Sequence, residues 1–149
     1  MPRIVPTTSA ALRSCGITAC AHHYELAADI KAPRLLRTWI TARLAGWHLH
    51  GLSDDLTLIA TELATNAVRH GGTPARITLA LRDPSTGPRR VVRLEVEDSG
   101  PGFSYRSHTR PVPVENCTGR GLLLVDTLSS AWGTGPTATG QLVWAELWA

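Results

Sequence analysis

Along ELATNAVRHGG, residues 62–72, a carboxylate (Glu62), an amide (Asn66), a guanidinium (Arg69) and an imidazole (His70) follow in close succession. The amide oxygen of Asn66 is a hard donor of the kind magnesium accepts. On a helix Glu62 and Asn66 stack one turn apart, with Arg69 beside them and His70 nearer the core. Leu56, Ile59, Ala60, Leu63 and Ala67 form the apolar stripe of that helix, and Thr61 and Thr65 point away from it. The polar group therefore flanks the core. A solvated helix edge is the plain alternative.

Two further stretches carry site chemistry. In EVEDSGPGF, strand parity puts Asp98 on the side of Val92, Leu94 and Val96, so an acid ends an otherwise apolar row. A carboxylate there needs a donor, and the exocyclic amine of adenine is one. Gly100 and Gly102 follow, and glycine lets backbone approach a flat ligand closely. In TGRGLLLVD, Gly119 and Gly121 introduce a helix whose first amides are free for phosphate, with the charge of Arg120 between them. A capped turn and a simple loop-to-helix junction are the alternatives for each alone. Together the three stretches supply an adenine acceptor, phosphate donors and a metal ligand.

The positioning elements are legible in outline. YELAA suggests a short strand, and Leu36, Ile40, Leu44 and Trp47 recur on one face of a helix from about Ala32 to Trp47. Ser53 is expected to cap the next helix, with Asp54 and Asp55 in its first turn and HGG as its stop. Alternation predicts strands from Ala75 and over Val91 to Asp98, the latter with Arg93, Glu95 and Glu97 on a wet face. Ser99 to Thr118 reads as a long loop of the kind that is usually functional. A third helix and two closing strands around a Gly/Pro turn follow. The expected architecture is an α+β two-layer sandwich, a mixed, mostly antiparallel sheet with three helices on one face.

Composition narrows the class. The chain has 149 residues, enough for one core, with 43% hydrophobic and 18% charged residues. No apolar run approaches a membrane span or a signal-peptide core, so a cytoplasmic protein with no membrane role is expected. The net charge of +3 is spread out, which gives direct nucleic-acid binding no support. Lys31 is the only lysine, which excludes a phosphate loop ending in Gly-Lys-Ser/Thr. Cys15, Cys20, His22 and His23 are metal-ligand types, but their spacing matches no standard zinc module. Residues 1–22 are expected to be a flexible tail and residues 23–149 the folded domain.

The ordered trio of motifs resembles the GHKL ATPase superfamily, which includes gyrase, heat-shock chaperones, histidine kinases and MutL. It is most similar to the stand-alone anti-sigma-factor serine/threonine kinases. ELATNAVRHGG matches the N box, EDSGPGF the first glycine box and GRGLLLVDTLSSAWG the second, and with the closing GQLVWAEL the likeness covers about residues 24–147. The resemblance implies a Bergerat-type, histidine-kinase-like ATPase fold that binds ATP and magnesium. By the same likeness Asn66 is the magnesium ligand and Asp98 the adenine-binding acid. Gly100, Gly102, Gly119, Arg120 and Gly121 line the nucleotide pocket, and Glu62 is the general base. It also implies a homodimer that sequesters a sigma factor and phosphorylates an anti-anti-sigma antagonist. The other readings are a nucleotide-gated binding module without useful transfer and, last, a detached sensor-kinase domain. One departure stands out: Gln141 and Leu142 occupy the stretch where the family often has threonine.

Overall fold

The computed structural model describes residues 18–27, 31–71, 75–83, 89–98, 117–138 and 140–149. In chain order the elements are β1 (Thr18–Leu26), α1 (Ala32–Gly46), a 3-10 turn (His50–Leu52) and α2 (Ser53–Asn66). A π-helical turn (Ala67–Gly71), β2 (Ala75–Arg82), β3 (Val91–Asp98), α3 (Cys117–Leu128), β4 (Ala131–Pro136) and β5 (Gln141–Trp148) complete the order. The strands form one sheet in the order β1-β2-β3-β5-β4. All four pairings among the described residues are antiparallel, where a mixed sheet was expected. The two-layer α+β sandwich with three helices is otherwise as the patterning predicts.

The core lies between the sheet and the helices. Leu36, Ile40 and Leu44 of α1 and Leu56, Ile59 and Leu63 of α2 are buried against Ile77, Leu79, Val92, Leu94, Val143 and Ala145. The helical spacing of the first six and the alternation of the last six make one apolar stripe meet one apolar sheet face. α3 joins through Val125, and the Trp132 indole N–H donates to Asp126 Oδ1 at 2.8 Å, tying α3 to β4. Among the described residues no helix is long and apolar enough to cross a membrane.

Three local expectations change. β1 starts at Thr18, inside the stretch expected to be tail, because its backbone pairs with β2 from Thr18 opposite Arg82 to Leu26 opposite Ala75. Ser53 is the first residue of α2 and not its cap. The 3-10 turn runs directly into the helix, and the Ser53 carbonyl accepts from the Thr57 hydroxyl at 2.7 Å. The outer face of β3 is not wet: Arg93 is 3% and Glu95 5% exposed. Arg93 Nε donates to Glu95 Oε1 at 2.7 Å and its Nη1 donates to Glu146 Oε1 at 2.8 Å. The guanidinium lies 4.1 Å from the centre of the Trp144 ring. These charges are buried because they are paired across strands and stacked on an aromatic face.

Strand alternation also separates the histidines near the start of the chain. His23 Nδ1 lies 3.1 Å from Thr78 Oγ1, whereas His22 lies 3.3 Å from Cys20 Sγ and stacks on Trp47. A set of Cys20, His22 and His23 converging on one ion is therefore not formed. Cys15 lies outside the described residues.

Candidate functional site

Each helix that precedes a strand runs back along it, and this gathers the motif residues at one end of the sheet. α2 leads through the π turn to Ala75, where β2 begins. Arg76 pairs with Glu97, so that start lies beside the end of β3 and hence beside Asp98. α3 leads through a tight turn into β4, whose far end, Pro136, pairs with Gln141. Gln141 in turn pairs with Asp98. The C-terminal end of α2 and the N-terminal end of α3 therefore stand over the same end of the sheet, with Asp98 and Gln141 beneath.

Asn66 is the last residue of α2 and is 5% exposed. Among the described residues its side chain has no hydrogen-bond partner. Its amide oxygen is therefore available to a ligand or to water. Glu62, one turn earlier, is half-buried and forms no ion pair with a described residue. The pair thus offers a hard oxygen donor and an uncommitted carboxylate on adjacent turns. The chain departs from α geometry immediately afterwards, and π turns commonly occur at functional sites because they re-aim the side chains around them. Nothing in AVRHG signals that turn in advance.

Asp98 is half-buried on the helix-facing side of β3, as strand parity predicts. Directly opposite residues of an antiparallel pair share a face, so Gln141 stands beside it on the same side, also half-buried. Leu142 points to the other face and is 1% exposed. The departure noted in the closing strand thus resolves into one polar residue at the site and one packing residue away from it. Gln141 is the residue that motif reading under-used. Its register opposite Asp98 is the signal that finds it.

Gly119, Arg120 and Gly121 fall within the first turns of α3, which starts at Cys117, two residues before the expected junction. The first four amides of a helix have no intrahelical acceptor, and those of Gly119 and Arg120 fall among them. An anion is favoured there by those donors and by the helix dipole. Gly100 and Gly102, and the long loop that carries them, lie outside the described residues.

A carboxylate at Asp98, the N-terminus of α3 and the amide oxygen of Asn66 at one end of the sheet fit a purine nucleotide with its phosphates. The family model of the histidine kinase-like ATPase domain matches residues 26–145, most of the chain and all of this site. The chain belongs to the histidine kinase-like ATPase domain family. A comparison with curated proteins returns no match. As a member of that family the protein binds ATP, and β1 through β5 supply its sheet from first strand to last.

Proposed function

We propose that this histidine kinase-like ATPase domain is a magnesium-dependent protein serine/threonine kinase of the anti-sigma-factor type. In this reading it acts as a homodimer, sequesters a sigma factor and phosphorylates an anti-anti-sigma antagonist. The observation that carries the reading is Glu62, an uncommitted, half-buried carboxylate one helical turn before Asn66. A purely nucleotide-gated binding module has no use for a proton acceptor at that place.

Asp98, with Gln141 beside it, accepts from the adenine amine and orients the base. The free amides at the start of α3 hold the phosphates. Asn66 offers its oxygen to magnesium, which when bound neutralises phosphate charge. Glu62 takes the proton from the partner's serine hydroxyl as that oxygen bonds to the γ-phosphorus and the bond to the ADP oxygen breaks. Positioning and charge neutralisation account for most of the rate in such transfers.

The test is incubation with radiolabelled ATP and candidate antagonist proteins encoded nearby. Label is expected on a serine or threonine of one of them. If the protein binds an antagonist in a nucleotide-dependent way yet labels none, the kinase reading falls and the nucleotide-gated module replaces it.

A further inference from the structure

Between the N-terminal end of α1 and the C-terminal end of α2 there is a recess of about 180 Å³. Leu26 of β1, Ala32 and Pro33 of α1, and Ala64 and Val68 at the end of α2 line it, so its walls are apolar. Thr65 and Arg69 complete the lining. An apolar cavity of about 150 Å³ takes a benzene-sized group, so this one has room for a single leucine or phenylalanine side chain. Val68 is 40% exposed at the recess, and Leu58 further up α2 is 43% exposed.

The position of this recess is informative. Leu58, Glu62 and Thr65 follow one another at helical spacing, so they form one stripe on the outward side of α2, and Arg69 follows in the π turn. Thr65 and Val68 lie about 4.5 and 9 Å beyond Glu62 along the axis, at about 1.5 Å per residue. An extended chain advances about 3.3 Å per residue, so the recess is about one to three residues of peptide away from Glu62. The surroundings carry positive charge. Arg69 lines the recess, Arg34 follows Pro33, and Arg37 is one turn beyond Pro33 on the same side of α1. All three are exposed, and none forms an ion pair with a described residue.

We propose that this recess is the docking point of the protein substrate. It takes one leucine- or phenylalanine-sized side chain from an acidic segment of the partner, about one to three residues from the serine that reaches Glu62. The apolar pocket supplies the anchor, and the three arginines select the acidic flank and speed encounter. The placement of the serine rests on the kinase reading; the pocket and its charge preference do not.

The test uses short fluorescent glutamate-rich peptides with one serine and one leucine at varied separations. Their binding to the intact protein is read by anisotropy, and phosphate transfer by radiolabelled ATP. Replacing the leucine by alanine, or the glutamates by lysine, is expected to weaken binding about tenfold or more. Val68→Trp, which fills the recess, should weaken it as much while leaving nucleotide affinity unchanged. Arg69→Glu, at an exposed position that folding tolerates, should shift preference toward the lysine peptides. Transfer should be fastest at separations of about one to three residues. Leucine-independent binding, unchanged binding by both variants, or no binding by any acidic leucine peptide overturns the docking site. Binding that depends on leucine and on Val68 but leads to no transfer upholds the docking site and overturns the kinase reading instead.

Discussion

Polar residues are buried or half-buried in two parts of this molecule, with opposite outcomes. On the outer face of the sheet, Arg93 pairs with Glu95 and Glu146 at 2.7 and 2.8 Å and stacks on Trp144, and Arg82 shares Glu146 at 3.5 Å, so the charges are paired within the fold. At the end of the sheet under α2 and α3, Asn66 and Glu62 have no such partners among the described residues. Burial of a polar group therefore does not mark a site by itself. What separates the two is whether neighbours within the chain pair the charges: on the outer face they do, although Arg93 Nη2 and Trp144 Nε1 are left without a partner, and at the sheet end no described residue pairs Glu62. A paired cluster contributes to specifying the sheet, whereas an unpaired one waits for a ligand.

The sharpest way to test that contrast is to remove a charge from each region. Glu62→Ala is expected to slow phosphate transfer by a factor of about 10² to 10⁴, the usual worth of a positioned proton acceptor, with nucleotide affinity and stability nearly unchanged. Transfer kinetics alongside calorimetry check it. Arg93→Ala should do the reverse. It leaves Glu95 without its cation and Glu146 with only its 3.5 Å contact to Arg82, and the loss of stability should be about 3–5 kcal/mol, read from denaturant unfolding. In whatever fraction stays folded, nucleotide affinity should be retained. If Arg93→Ala instead cost nothing in stability, the outer cluster would not be structural and the comparison would break.

A smaller change sharpens the same side. A Cβ added at Gly133 would stand 2.9 Å from Trp144 Cζ2. The indole is already held against the Arg93 guanidinium, so it cannot yield freely. Gly133→Ala is expected to cost about 1–3 kcal/mol, the range for overpacking, with no effect on nucleotide binding. Unfolding of the two proteins side by side measures it.

The sequence discloses these two regions unequally. Periodicity located α1, α2, β2 and β3, because each buries a face whose spacing is visible locally. Parity placed Asp98 on the helix side for the same reason. Alternation predicts a wet outer face because it reports only that Arg93 and Glu95 share a side. It does not report that Glu146, 53 residues away, pairs with that side. β1 was under-read because TACAHHYEL has little apolar alternation; its strand character comes from pairing with β2. Gln141 is an intermediate case. Its place opposite Asp98 follows from a register between strands far apart in sequence, which no local pattern contains.

The central claim is that the end of the sheet, with Asp98 beneath and Asn66 above, binds the nucleotide and its metal. Titration calorimetry of ATP, with and without magnesium, on wild type, Asp98→Asn and Asn66→Ala tests it directly. The wild type should bind, and magnesium should strengthen binding. Asp98→Asn, which replaces an acceptor oxygen with a donor opposite the adenine amine, should lower affinity about tenfold or more under both conditions. Asn66→Ala should lose mainly the strengthening by magnesium, because it removes a hard oxygen ligand. Equal affinity for Asp98→Asn and wild type, or a magnesium response in Asn66→Ala as large as in wild type, would contradict the assignment.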